Sequence, residues 1–515
     1  MGLQGGLSSG LPPSIFSLAH SAAIIASATR YPQPLRRQLL LRYNLASTIS
    51  ILSKNVYFTL PEQSIEKGTA MAAFNRRGFM GASLSLASAL AANPIFSDDR
   101  PPVRHPRATD GDGRHEPNWA ERFTLTVGTK KGDLIGNNDR VLQAAVDYVA
   151  RLGGGTVHVL PGTYSLRNSI FLPSKVRILG SGADSVLTKI ASETVALSED
   201  SDWYDQEITV SKSSGFQVGD GVVLKTKNPH TGGTDVLRRT LVARKGNRFK
   251  LDDGLRKNFW LTGKPTCSSL FPLLVSERTS DVVIENIALD GNKKNNENLN
   301  GNYGGGIFLQ DCNRYTFRKV ESRNYNGDGF SFQICHDVIV DSCHSHDNAN
   351  LGVHPGSGSQ RPLIVNNRLE NNDIGIFWCW GVRYGLAEKN HIDGNRDYGI
   401  SIGHNDTDNV MRDNVVLNSG KVGILFRNDS RGKDFWANRN VIENNRIENS
   451  GDENGVGIDI QGKTKDLQIV GNRLNETRKP MNRTGIRIHA DAARIELRDN
   501  AIQGFAKTVD DQRSA

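Results

Sequence analysis

A glycine followed by a large apolar residue returns eight times in the second half of the chain. The pairs are Gly306-Ile307, Gly329-Phe330, Gly352-Val353, Gly375-Ile376, Gly399-Ile400, Gly423-Ile424, Gly457-Ile458 and Gly485-Ile486. Successive glycines lie 23, 23, 23, 24, 24, 34 and 28 residues apart. A near-constant period of this size means a solenoid, in which each repeat buries its apolar face on its neighbours.

The repeat is β. After each glycine the apolar positions alternate, as in Ile307/Leu309, Phe330/Phe332, Ile376/Trp378, Ile400/Ile402, Ile424/Phe426, Ile458/Ile460 and Ile486/Ile488. Period two over short runs marks a strand with one buried face, and it assigns Trp378 to packing. A second short strand follows in most repeats after an asparagine: Asn286-Ile287, Asn367-Arg368-Leu369, Asn390-His391-Ile392, Asn414-Val415-Val416, Asn445-Arg446-Ile447, Asn472-Arg473-Leu474 and Asn500-Ala501-Ile502. Glycine and asparagine are expected at corners, where left-handed backbone is needed. No repeat has room for two strands and a ten-residue helix, so the fold class is an all-β parallel β-helix.

Upstream, Val141, Leu142, Ala145, Val149 and Leu152 share one face of a helix that Asn138 caps and Gly153 ends. Then come Gly153-Gly154-Gly155-Thr156-Val157 and Pro161-Gly162-Thr163-Tyr164. Such a helix can cap the open end of a coil stack, where strand edges are otherwise unpaired. The order Leu142-Gln143-Ala144-Ala145-Val146-Asp147, triple glycine, Pro-Gly-Thr-Tyr and asparagine-rich coils resembles the pectate-lyase-like right-handed parallel β-helix superfamily. The resemblance covers residues 123 to about 505. It implies the right-handed fold with an N-terminal capping helix. It leaves the reaction open, because that superfamily holds lyases, hydrolases, epimerases and non-catalytic members.

The expected organisation is a leader or annotation extension at 1–70, a signal peptide at 71–91, a linker at 92–122, a cap and first coils at 123–190, a β insertion at 191–272, coils at 273–505 and a tail at 506–515. Within the insertion, Ile208-Thr209-Val210, Val222-Val223-Leu224, Thr240-Leu241-Val242 and Phe249-Lys250-Leu251 read as antiparallel strands. A polar loop runs from Asp290 to Gly305. Such excursions on one face often form the binding side of a solenoid.

Asn75-Arg76-Arg77-Gly78-Phe79-Met80-Gly81, then an apolar run Ala82 to Ala92 with Ala89-Leu90-Ala91, resembles a twin-arginine export signal. The run is too short for a permanent membrane span. This implies the export machinery as a partner and a periplasmic or extracellular location. Met71 is read as the start of that signal. The net charge of +8 concentrates at the front: residues 1–100 carry nine Lys/Arg and four Asp/Glu, against 54 and 51 in the rest. The coil region is nearly balanced, so nothing argues for nucleic acid.

Five cysteines are an odd number. Cys312 and Cys335 each lie six residues after their glycine and should stack on neighbouring rungs, within disulfide range, with a buried thiol ladder the favoured expectation. Cys267, Cys343 and Cys379 lack zinc spacing. His344, His346 and Asp347 cluster at a corner, where polar residues are expected anyway. No cofactor is called for; calcium stays open, since Asn405-Asp406-Thr407-Asp408-Asn409 offers oxygens as any polar turn does.

Parity places Phe308, Ser331, His354, Phe377, Ser401, Leu425, Asp459 and Arg487 in an outward row facing solvent. A second outward row holds Gln310, Gln333, Gly356, Cys379, Gly403, Arg427, Gln461 and His489. His354, followed by Pro355, Gly356 and Gly358, is the candidate base or acid. Arg427, roughly 16 Å away along the backbone, is the candidate for binding a sugar carboxylate. Trp380 and His404 share an offset on neighbouring rungs and suggest a sugar-stacking surface. Asp328, in Asn326-Gly327-Asp328-Gly329, resembles the first acidic motif of polygalacturonase-type hydrolases. The next coil has Asn350-Leu351 where those enzymes place an acidic pair, so their mechanism is not matched. Two further classes fit the same residues: a glycoside hydrolase with Asp328 and Asp406 as carboxylates, and a non-catalytic binding solenoid. The favoured expectation is an enzyme acting on an acidic polysaccharide by β-elimination or C5 epimerisation, with Ser331, Gln333, Trp380, His404 and Asp406 around the substrate.

Overall fold

A computed structural model describes residues 116–514 except 213, 480 and 481. The twin-arginine segment, the leader before it and most of the linker lie outside the described residues. The chain folds as a right-handed parallel β-helix with an N-terminal helix and a lateral β insertion. One face is an eleven-stranded parallel sheet running from Ile170–Phe171 through Leu274–Glu277, Gly305–Gln310, Asp328–Gln333, Leu351–Gly356, Ile374–Phe377, Tyr398–Ile402, Val422–Phe426, Val456–Ile460 and Thr484–Ile488 to Lys507–Asp511. Its register stacks Ile307, Phe330, Val353, Ile376, Ile400, Ile424, Ile458 and Ile486 one above another. These residues and the alternate ones two positions on, Trp378 among them, form the buried core. Within the segment expected as a tail, Lys507–Asp511 adds a rung.

Each coil has three strands, one more than the sequence pattern shows. Ile339–Asp341, Leu363–Val365, Leu386–Glu388, Val410–Arg412 and Val441–Glu443 form the extra ladder. They are three residues long, too short for alternation to register.

The recurring glycines are not corner residues. None of the eight has positive φ. They sit within strands, where a Cβ would collide with the rung below: at Gly329 it would lie 2.1 Å from Ser345 Oγ and 2.9 Å from the Gly352 carbonyl. Close backbone approach is what selects glycine here. From Asn367 to Asn500 the ladder asparagines are not left-handed either, though Asn286 is (φ 57°); in that run the residue before each one is left-handed, as at Asn366, Lys389, Asp413 and Asn444. The asparagines are chosen for their amides. Asn390 Nδ2 donates to Asn414 Oδ1 at 2.8 Å and to the Ile364 carbonyl at 2.9 Å, and its own Oδ1 accepts from the Asn367 backbone at 3.1 Å. The run continues through Asn445 and Asn472 to Asn500. Buried corner groups are thereby satisfied rung by rung.

The helix spans Asp139–Arg151, with Asn138 Oδ1 accepting from Arg140 and Val141 N–H. It packs Leu142, Ala145, Val146 and Val149 on the first coils. Leu152, expected on that face, is exposed, and Val146 takes its place. Residues 116–122, expected as linker, are partly docked: Glu116 pairs with Arg318 at 2.7 Å. The insertion is a six-stranded antiparallel sheet, ordered Thr194–Ala196, Thr266–Ser268, Gly221–Lys227, Thr234–Lys245, Arg248–Leu251 and Glu207–Thr209, with its own core. The chain leaves the stack for the insertion and returns at Leu274–Glu277, which pairs directly with Ile170–Phe171. The coils stack without a gap, and the insertion stands beside the eleven-stranded face. Cys312 and Cys335 are stacked free thiols, with Cys312 N donating to Cys335 Sγ at 3.4 Å. No helix among the described residues is long and apolar enough to cross a membrane.

Candidate functional site

The eleven-stranded face carries both outward rows, but much of the first row does not meet solvent. Phe308, Ser331, His354, Ser401, Leu425 and Asp459 are all buried. Parity gave the direction of each side chain correctly. It could not show the cover, which comes from segments distant in sequence. The 290–305 loop lies over the early rungs: Ser331 Oγ donates to the Gly301 carbonyl at 2.6 Å, and a Cβ on Gly301 would lie 1.7 Å from Asp328 Oδ2. Gln333, also buried, donates to Ser331 Oγ at 3.1 Å.

Beneath this loop Asp328 and His354 meet. Asp328 Oδ2 is 2.7 Å from His354 Nδ1, and Asp328 Oδ1 accepts from Leu351 N–H at 3.2 Å. The two side chains are 1% and 4% exposed, too little for a free surface histidine. A carboxylate oxygen accepts, so this contact suits the imidazole tautomer with its proton on Nδ1. His354 Nε2 is buried and has no hydrogen-bond partner. The ring packs edge-on against Phe377 at 5.4 Å.

Phe377, one rung further, joins the two halves of the site. The Arg427 guanidinium lies 4.3 Å from its ring centre. Arg427 is not an open fork: Nη1 donates to Ser401 Oγ at 2.8 Å, Nη2 to the Trp378 carbonyl at 2.9 Å, and Asp406 lies 3.7 Å away. Burial lowers its pKa while Asp406 opposes the shift. Asp406 is fully buried, and its oxygens accept from Gly381, Val382 and Gly403 N–H at 2.8, 2.9 and 2.9 Å. Burial raises its pKa against Arg427 and those bonds. This geometry holds a turn; it does not present a carboxylate to a substrate, contrary to the place given Asp406 at a substrate site.

Trp380 is 42% exposed and left-handed at φ 65°. Its ring lies 4.9 Å from His404, tilted by 37°, and the Arg431 guanidinium is 4.6 Å from it. His404 is buried, with Nδ1 accepting from Arg431 N–H at 3.0 Å. Trp380 is the exposed member of this group.

A cavity of about 480 Å³ lies where the insertion meets the same face. Its floor includes Phe171, Phe308 and Gln310; Tyr303 and Asn302 come from the loop, and Arg238 from the insertion. Arg238 stacks on Phe308 at 4.4 Å. Sequence reading missed this residue, which sits in Thr234-Asp235-Val236-Leu237-Arg238-Arg239 with no motif around it.

On another sheet, His344 and His346 stack at 4.0 Å, and with Glu321 they place one ligand-capable atom each within 4.8 Å of one another. Each histidine already contacts carboxylates: His344 Nε2 with Glu370 at 2.8 Å, His346 Nδ1 with Asp347 at 2.6 Å and His346 Nε2 with Glu321 at 3.1 Å.

The family model described as right handed beta helix region matches residues 279–435. No curated relative matches the chain in sequence. Among solved structures it is similar to the A-module of the mannuronan C-5 epimerase AlgE4 of Azotobacter vinelandii, with 15% identity over 76% of this chain and 100% of that one, at a TM-score of 0.47. It is also similar to PfbA, a surface adhesin of Streptococcus pneumoniae, with 14% identity over 75% and 92%, at 0.46. A third is an alginate lyase from Paenibacillus sp. str. FPU-7, with 11% identity over 75% and 99%, at 0.38.

Proposed function

We propose that this protein is an exported enzyme that takes the C5 proton from a uronic acid within an acidic polysaccharide, ending in β-elimination or C5 epimerisation. The observation that carries the reading is the Asp328–His354 pair, held at 2.7 Å through Nδ1, with Nε2 left unpaired in a nearly dry setting. A buried polar atom without a partner costs about 1–3 kcal/mol. An imidazole fixed by a carboxylate and open at its other nitrogen is the arrangement a general base needs.

In the proposed reaction Nε2 accepts the C5 proton and the electron pair moves toward the sugar carboxylate. For elimination, the C4=C5 double bond forms as the C4–O bond breaks, and the departing glycosidic oxygen takes a proton from water. For epimerisation, water on the opposite face protonates C5, and Nε2 releases its proton to solvent. Arg427 supplies positive charge across Phe377 rather than a free bidentate fork, because its donors are bound to Ser401 and Trp378. Trp380, exposed beside His404, provides the sugar-stacking ring. Ser331 and Gln333 hold the 290–305 loop over the pair, and this loop must shift for a sugar to reach Nε2. Glycoside hydrolysis by two carboxylates fits less well: Asp328 is committed to His354 and Leu351, and Asp406 to three backbone amides.

The burial of Asp328 and His354 favours one other reading, a solenoid that binds carbohydrate without chemistry. Incubation with a panel of uronic-acid and neutral polysaccharides, following ultraviolet absorbance and reducing ends together, separates the two. A lyase raises both signals, and His354→Ala abolishes both. Binding with neither signal, and with no change in uronate stereochemistry, would reject the enzyme.

A further inference from the structure

Two adjacent arginines of the insertion strand Thr234–Lys245 have opposite fates. Arg239 spends its donors within the protein, on the Arg238, Asp253 and Gly254 carbonyls, with the Asp253 carboxylate 3.9 Å away. Arg238 makes no side-chain hydrogen bond or ion pair with any described residue. Its guanidinium instead lies over the Phe308 ring, 4.4 Å from its centre, at the wall of the cavity between insertion and coil face. Arg238 is only partly buried, so its N–H donors stay accessible from the cavity while an aromatic ring holds the guanidinium from one side. Its five donors form a planar fork that matches a carboxylate.

The surroundings favour a sugar acid over a bare ion. The cavity is large enough for a saccharide unit, and Phe171, 47% exposed, gives an apolar wall. Gln310, Asn302 and Tyr303 offer hydroxyl-binding groups. Of the acids at the rim, Glu277 also acts on Arg238 through its charge, without an ion-pair contact to it. Glu277 lies 3.6 Å from Arg278, and Asp253 lies 3.5 Å from Arg256. Asp252 Oδ1 accepts from Thr240 N–H. Phe308 pairs with Ser331, which pairs with His354, so the Arg238 stack stands two rungs from the proposed base. At about 4.8 Å per rung, that is on the order of 10 Å.

We propose that the cavity is a sugar subsite in which Arg238 binds the carboxylate of a uronic acid neighbouring the residue that reacts. This rests on the reading of the face as a polysaccharide site and names its selectivity: acidic chains are chosen through the insertion. The carboxylate binds on the open side of the guanidinium, with Phe308 fixing the plane of the fork.

The test is equilibrium binding, which does not depend on turnover. Full-length protein carrying His354→Ala is titrated with a uronic-acid oligosaccharide, with the same oligosaccharide after reduction of its carboxyls to alcohols, and with a sulfated neutral oligosaccharide of equal length. The acidic oligomer is expected to bind about ten- to a hundredfold more tightly than the reduced one, the range for one charge-assisted bidentate contact. Arg238→Gln should erase that preference while leaving the affinity for the reduced oligomer nearly unchanged. Arg238→Lys should restore only part of it, because an ammonium lacks the fork. A purely structural arginine would weaken all three ligands alike, and that result overturns the proposal. Equal or tighter binding of the sulfated oligomer overturns the carboxylate assignment. Carboxylate preference without turnover in the wild type would reject the enzyme and keep the subsite.

Discussion

His354 shows how a side chain whose direction follows from sequence can have an environment that does not. Its place two residues after a rung glycine sets it on the outer side of the sheet. Its acidic partner comes from the previous rung and its cover from a loop some fifty residues upstream, so neither is visible in the local pattern. Arg427 and Asp406 make the same point in the other direction: both read as free reactive groups, yet each is spent on the fold. Lys189 was not singled out at all. It is fully buried, with Nζ 2.9 Å from the Phe271 carbonyl and 3.3 Å from Asn326 Oδ1, between the rings of Phe271 and Tyr325. Burial lowers its pKa to about 7, against roughly 10.4 for an unfolded lysine. Between these values the unfolded chain holds more protons, so the contribution of this group to stability rises with pH across that window and is at its worst below about 7. Lys189→Met should therefore raise the Tm relative to wild type more at about pH 6.5 than at about pH 9.5. A gap that does not narrow with rising pH would refute a charged buried Lys189.

At the scale of one rung, the account rests on backbone approach and amide ladders. The period, the strand parity and the capped helix were legible in the sequence because each repeats or follows a local rule. The third strand was not in the coils where it is only three residues long, as at Ile339–Asp341 and Leu363–Val365, since three residues carry no periodicity. The reason for the glycines was not legible either, because a collision with the next rung is invisible in a single repeat. Gly375→Ala makes this testable, since its φ is ordinary and only space opposes the methyl. The new Cβ would lie 2.5 Å from Ile392 Cγ2 and 2.7 Å from the Gly399 carbonyl. Overpacking of this kind typically costs about 1–3 kcal/mol. Asn390→Leu should cost at least as much, because it strands the Ile364 carbonyl and the Asn367 amide. Thermal unfolding should show both variants several degrees below wild type, with exposed Asn454→Ala unchanged. A Gly375→Ala protein as stable as wild type would remove close packing as the reason for the repeat.

At the scale of the whole molecule, a stack of coils provides a long face and the insertion walls one end of it. The insertion's antiparallel strands were partly legible, but its position against the coils depends on the chain returning to pair Leu274–Glu277 with Ile170–Phe171. For that reason the cavity with Arg238 and Phe308 could not be found from sequence. Export is argued from sequence alone, as residues 71–91 lie outside the described residues. Arg76→Lys combined with Arg77→Lys should leave the protein in the cytoplasmic fraction, whereas unchanged fractionation would contradict the twin-arginine reading. The central claim is removal of a C5 proton by His354, a step that elimination and epimerisation share. The most direct measurement uses a polyuronate deuterated at C5 and follows release of that deuterium into water. Wild-type protein should release it, Asp328→Asn should slow the release and alter its pH profile, and His354→Ala should abolish it. Release that persists undiminished in His354→Ala, or no release from any uronate by the wild type, would contradict the account.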